Sequence, residues 1–200
     1  MEWAKRTGAL IIEDDYDGEF HYQGQPLESL QGLDRQGRVI YIGTFSRTVF
    51  SALRIGYLIC PKALVETLTA AKWLCDRHTP TLEQEALAEF IASGLYERNL
   101  RRVRRRNESR RAALLDSIQK FMQDRVEVSG DGAGAHMVLW PRDRVSEKQV
   151  VVRALAQGIL IYGLAPYYAN KPRRPGLLVG YSRLKESEIR EGIRRLSLVL

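Results

Sequence analysis

Between residues 95 and 122 the apolar side chains of Tyr96, Leu100, Val103, Leu114, Ile118 and Phe121 fall on one stripe at helical spacing, interrupted by Asn107 and Arg111. The spacing predicts one continuous helix, about 40 Å long at a rise of 1.5 Å per residue. So long an element leaves few ways to arrange the rest, and the pattern differs on its two sides. Upstream, the runs at 9–12, 38–46 and 54–61 are short, β-rich and bounded by Gly, Pro or polar residues. The segment between the first two, "HYQGQPLESLQGLDRQG", reads as a connecting loop. Helical patterns follow at 62–74 and 81–94, the second opening on a capping-type Thr79 or Thr81 and stopping at Gly94. Downstream, "RVEVSG", "AHMVLW", "ILIYG" and "GLLVGYS" alternate with helices at "SEKQVVVRALAQG" and "KESEIREGIRRLSLVL", an α+β order. The natural boundary lies inside the long helix, giving regions 1–110 and 111–200.

Charge matters here only through its location. The chain carries a formal +7, and residues 98–111, "RNLRRVRRRNESRR", hold eight arginines and one glutamate, which accounts for all of it. The run lacks interleaved aromatics and keeps an apolar stripe, so a solvated helix face is the first reading and a nucleic-acid stripe the alternative. No stretch approaches a membrane span, and "MEWAKRTGAL" has no signal-peptide core, so a cytoplasmic protein is expected. Cys60 and Cys75 read as two buried thiols, and three scattered histidines give no metal-ligand spacing.

The chemistry concentrates at the ends of the upstream strands. "GALIIEDDYDGEF" reads as a buried-type strand that delivers Asp14 and Tyr16 at its C-terminal end, where ligands bind in open α/β sheets. "VIYIGTFSRTVF" ends its strand in the hydroxyls of Thr44 and Ser46, followed by Arg47, and Arg54 opens the third run. Hydroxyls, loop N–H groups and a guanidinium at strand ends suit a phosphate monoester. A nearby ionised carboxylate suits a protonated ring nitrogen.

Together with "YERNLRRVRRRNESRRAALL", these motifs resemble the C-terminal half of MocR-type regulators of the GntR superfamily. Their effector domain is similar to fold-type I, class I/II aminotransferases dependent on pyridoxal 5′-phosphate (PLP). The resemblance covers nearly all of the chain. It implies an α/β fold: part of the PLP-dependent transferase-like large domain, followed by the small α+β C-terminal domain. By resemblance, Asp14 pairs with the cofactor's pyridine nitrogen and Tyr16 with its phenolic oxygen. Thr44, Ser46 and Arg54 face the phosphate or a substrate anion. The resemblance also implies a homodimer, an amino-acid-like effector, and DNA contact only through an N-terminal winged-helix domain. That domain and the first half of the aminotransferase-like domain are not in this sequence, so the chain reads as a truncated gene product or fragment.

The sequence departs from the family where the Schiff-base lysine should follow "TFS": the residue is Arg47. A guanidinium keeps its proton, with a pKa above about 12, and cannot condense with an aldehyde. No lysine occurs between Arg47 and Lys62 to replace it. In "GLLVGYS" the place of the arginine that binds a substrate carboxylate is taken by Leu178, with Arg173 and Arg174 close by as substitutes. The expectation is therefore a PLP- or effector-binding domain without transaminase activity. Two alternatives stand beside it: a working class I/II aminotransferase acting on an amino acid, and a basic nucleic-acid-binding fragment using residues 98–111.

Overall fold

The computed structural model describes residues 1–25, 27–170 and 172–200. They form two compact units: residues 1–19 with 25–103, and residues 20–24 with 104–200.

The first unit is built on a three-stranded sheet in the order β1 (Ile11–Asp15), β2 (Val39–Thr44), β3 (Gly56–Ile59). β1 and β2 run parallel, with Asp14 opposite Ile42, and β2 and β3 run antiparallel, with Thr44 opposite Gly56. α1 (Glu2–Thr7) ends at Gly8, whose φ of 73° turns the chain into β1. β1 starts later than its apolar run and takes in the carboxylates themselves. It is also not a buried strand: Ile12 is 67% exposed and Asp14 is exposed. β2 starts where Asp34 collects the backbone N–H groups of Gln36, Arg38 and Val39. These bonds, Gln36 first, hold its carboxyl below the usual range.

The loop expected between β1 and β2 contains a helical turn, α2 (Leu30–Leu33). Glu13 on β1 accepts from the N–H groups of Leu30 and Gln31 at 2.8 and 3.0 Å, and Ser29 Oγ accepts from Gly32 N. Such first-turn donors have no partner within the helix, so a strand carboxylate anchors the turn.

α3 (Val65–Asp76) and α4 (Thr81–Ala92) follow. Neither Thr79 nor Thr81 caps α4. Pro80 occupies the N-cap, and the Gln84 side chain donates instead to the Thr79 and Pro80 carbonyls. α3 buries no residue, and Leu74 and Leu82 are 85% and 79% exposed. The two thiols are therefore not buried: Cys60 is half-buried and Cys75 exposed. No helix among the described residues is long and apolar enough to cross a membrane.

The long helix exists as expected: α5 runs from Leu95 to Phe121. Its stripe buries Leu100, Val103, Leu114 and Ile118. Of the two interruptions, Asn107 is buried and Arg111 is half-buried. Asn107 is 2% exposed, and Arg111 pairs with Asp131 at 3.2 Å while lying over the Tyr22 ring.

The second unit carries an antiparallel sheet ordered β4 (Val126–Ser129), β5 (His136–Pro141), β7 (Leu177–Gly180), β6 (Tyr162–Gly163). Of the run "ILIYG" only β6 pairs, although Ile161 is buried. α6 (Glu147–Ala156) starts at the Ser146 cap, and α7 (Glu186–Val199) buries Ile189, Ile193 and Leu196 at intervals of three and four. These residues, the C-terminal half of α5 and the inner face of the sheet form one core centred on Leu139, Leu177 and Leu196, each fully buried. The segment 20–24 joins this unit: Tyr22 N donates to Gly132 O, Gly134 N to Phe20 O, and His21 bridges Ala133.

Candidate functional site

Strand direction does the first work. β1 and β2 are parallel, so Asp14–Tyr16 and Thr44–Arg47 leave the sheet at the same edge. β3 returns antiparallel from Gly56, which brings Arg54 to that edge too. The sequence-expected residues Asp14, Tyr16, Thr44, Ser46, Arg47 and Arg54 therefore share one end of one sheet.

Pairing also sorts the side chains. Ile12 and Asp14 lie on the face shared with Ile42, Thr44 and Leu58, while Asp15, Tyr41, Gly43 and Tyr57 lie on the other. The Asp14 face is open: Ile42 and Leu58 are 37% and 45% exposed. Asp14 therefore stands on an open face beside the exposed apolar side chains of Ile12, Ile42 and Leu58.

The loop after β2 is tightly held. Phe45 N donates to Ile55 O at 3.0 Å, and Ser46 N donates to Thr44 Oγ1 at 3.1 Å. The Thr44 hydroxyl in turn donates to Ile55 O at 3.3 Å, so it is largely spent on the loop's own shape. Thr48, 2% exposed, receives a bond from Asn99 Nδ2 at its carbonyl (2.7 Å) and from Tyr96 Oη at its hydroxyl (3.2 Å). α5 thus fixes the segment that carries Ser46 and Arg47. Arg54 follows a 3₁₀ turn in a left-handed conformation, φ 52° and ψ 32°, which a non-glycine residue adopts at some cost.

Arg47 is exposed and lies over the Tyr16 ring, 5.6 Å from its centroid, a cation–π distance. The Tyr16 phenol is pushed up, by the charge of Asp17 first and burial second, with Arg47 opposing. It therefore keeps its proton and is available as a donor.

At the same end of the sheet lies a polar cavity of about 160 Å³ lined by Asp15, Tyr16, Thr44, Thr48, Tyr41, Tyr57 and Tyr96, among others. Tyr41 Oη donates to Asp15 Oδ2 at 2.7 Å, and Gly18 N donates to Asp15 Oδ1 at 2.8 Å. Burial and then this bond push Tyr41 well above the ordinary tyrosine range. Burial also raises Tyr96. A Cβ on Gly43 would overlap the Tyr57 ring, so the glycine makes room for that wall. Sequence reasoning missed this cavity because tyrosines in a strand register only as β formers. Their recurrence on one face of paired strands was the available signal.

In the other unit, Leu178 lies on β7 opposite Val138 and Tyr162. Arg174 is already engaged. It pairs with Glu127 at 2.8 Å and stacks on Trp140 at 4.3 Å.

Residues 1–196 match the family "Aminotransferase class I and II". The chain is 38% identical over 196 residues to the HTH-type transcriptional regulator YhdI of Bacillus subtilis, covering 98% of this chain and 42% of the relative. It is 34% identical to the probable rhizopine catabolism regulatory protein MocR of Rhizobium meliloti, covering 98% of this chain and 40% of that protein. It thus spans about two-fifths of the length of these curated relatives. Among solved structures it superposes on a kynurenine aminotransferase of Pyrococcus horikoshii, crystallised with PMP, with a TM-score of 0.91 and 27% identity. That match covers 99% of this chain and 49% of the other. The α-aminoadipate aminotransferase LysN of Thermus thermophilus gives 0.90 and 28%, covering 100% and 52%. With the family match over residues 1–196 and superpositions that take in 99–100% of the chain, the chain belongs to the aminotransferase class I and II family.

Proposed function

We propose that the chain is the aminotransferase-like, effector-binding part of a MocR/GntR-type transcription regulator, and that it holds a PLP-type ligand without transaminating. The observation that carries this reading is Arg47. It follows "GTFS" at the shared sheet edge, where a Schiff-base lysine would stand, and its guanidinium lies over Tyr16. The relatives named as HTH-type regulators support the regulatory context.

The donor set fits the non-covalent half of such a site. Asp14 would face a protonated ring nitrogen, and Tyr16, kept neutral, would donate to the phenolic oxygen. Ser46 and Arg54 would hold the phosphate, with Thr44 shaping the loop between them. The covalent half does not fit. Arg47 offers no neutral amine, and it cannot move a proton as a base because it stays protonated. Bound PLP would supply an electron-poor ring and an aldehyde, chemistry that belongs to the cofactor. Here the residues bind and orient it and keep a fixed positive charge beside it. Homodimerisation, a cytoplasmic location, and DNA contact through a domain outside this sequence belong to the same proposal.

The test pairs wild type with Arg47→Lys. Wild type should bind pyridoxamine phosphate by calorimetry yet give no borohydride-trapped adduct with PLP. The lysine variant should give an adduct that peptide mass mapping places at position 47. A wild-type adduct mapped to Lys62 or Lys72, or amino-group transfer by wild type, refutes the proposal.

A further inference from the structure

The arginine run contains more positive charge than its own helix uses. Arg105 and Arg106 are exposed and have no acidic partner among the described residues. With Ser109 and Arg110 they line one side of an open groove of about 580 Å³. The opposite wall is Lys185, Glu186 and Ser187, from the start of α7, far away in sequence. Four cations therefore meet a single carboxylate. That carboxylate is already occupied, since Glu186 accepts from Ser109 Oγ at 2.5 Å and from Arg190. Arg110 donates to the Ser182 carbonyl, which holds its guanidinium in the groove wall.

A merely solvated helix face would spread its arginines into water without regard to other elements. Here a lysine from a second element joins them, and the acids that face Arg110 from that element, Glu186 and Glu188, leave the cluster with an excess of positive charge. Burial first, and the neighbouring charge of Arg106 second, lower the pKa of Arg110, with Glu186 and Glu188 opposing without cancelling them. A bound anion would offset that excess. Planar guanidinium forks are suited to phosphate oxygens, which they grip in pairs. The groove is open to solvent rather than closed around a small molecule, which leaves room for a chain of phosphates.

We infer that the groove formed by Arg105, Arg106, Arg110 and Lys185 is a docking surface for the phosphodiester backbone of a nucleic acid. It reads no sequence, because the side chains lining it meet phosphates and not base edges. It is independent of the ligand site at the mixed sheet and of the status of Arg47.

The test uses the whole 200-residue chain and a fluorescently labelled, mixed-sequence DNA duplex followed by anisotropy. Binding should weaken with salt, with a log–log slope of about −3 for three or four neutralised phosphates. Reversal of two groove charges (Arg105→Glu with Arg106→Glu) should lower affinity at least about tenfold and reduce the slope by about 2. The milder pair Arg105→Gln with Arg106→Gln, checked by circular dichroism, should weaken binding in the same direction and guards against a folding defect. An equal reversal on exposed α6 positions (Lys148→Glu with Arg153→Glu) should leave affinity within about twofold, because a local site and not net charge does the binding. The inference is overturned if the duplex does not bind at low salt. It is equally overturned if the α6 reversal weakens binding as much as the groove reversal, or if inorganic tripolyphosphate saturates the groove while the duplex leaves it untouched.

Discussion

Replacing Asn99 by alanine tests whether α5 holds the Ser46–Arg47 loop in place. The Asn99 amide donates at 2.7 Å to the carbonyl of Thr48, a residue only 2% exposed. Alanine removes the donor and leaves a carbonyl that water reaches poorly. The cost is then closer to that of an unsatisfied buried acceptor, about 1–3 kcal/mol, than to the smaller net worth of an exposed bond. For a cooperative unit of roughly 100 residues, each kcal/mol lowers Tm by about 4–8 °C. The Thr48 hydroxyl still receives Tyr96 Oη, so the loop should loosen and not detach. Amide hydrogen exchange is the discriminating assay. Protection should fall at Ser46 and Val49, whose N–H groups bond within this loop, while amides in β5 and β7 keep theirs. A variant with unchanged Tm and unchanged exchange at these two amides would show that the loop is held by its internal bonds alone, and the reasoning fails.

Three further outcomes are expected. Leu139→Ala empties a fully buried position flanked by Val128 and Leu177 and should cost about 3–4 kcal/mol by chemical denaturation; a loss under about 1 kcal/mol would mean the core there collapses freely. Gly163→Ala places a Cβ onto the Glu147 carboxylate, which accepts from Ala165 N and Gly176 N, so stability should fall as both bonds are displaced; an unchanged melt would contradict the geometry. Glu191 is held at about 2 by bonds from Arg194 and then Arg195. A depressed native carboxyl stabilises fully above its unfolded value, about 4.3, and loses that effect as pH falls toward its native value. The Tm gap between wild type and Glu191→Gln should therefore be present at neutral pH and close between about pH 4 and 2; a gap that widens on acidification would reverse the sign of the argument.

Much of the architecture was legible because it rests on periodicity. The stripe from Tyr96 to Phe121 specified a long helix wherever its partners were to be found, and the β-rich runs at 38–46 and 54–61 contain the strands observed at 39–44 and 56–59. The meeting of Asp14, Tyr16, Thr44 and Arg54 was legible through motif resemblance, and strand direction supplies its physical basis. Three features were not legible, each for a physical reason. α2 is a single turn whose stability comes from Glu13 on another element, so its own sequence looks like loop. The cap of α4 failed because proline at position 80 fixed the entry and left Gln84 to satisfy the preceding carbonyls. The exposure of Cys75, Trp73 and Leu74 could not be read because apolar patterning states which residues favour burial, not whether this chain supplies the cover.

The five residues from Phe20 to Gly24 have a consequence for how the second unit is made. They come from the beginning of the chain yet pair with Gly132–Gly134, closing a loop of roughly 110 residues whose entropy costs about 4 kcal/mol. Phe20 is 2% exposed, so this edge is a packed part of that unit. A fragment beginning at residue 104 would carry every strand of the antiparallel sheet and still lack one of its seams. The two units are thus interleaved in sequence: chain made first completes what is made last, and a protease cut near residue 24 would loosen the 132–134 loop of a unit whose own strands it never touched.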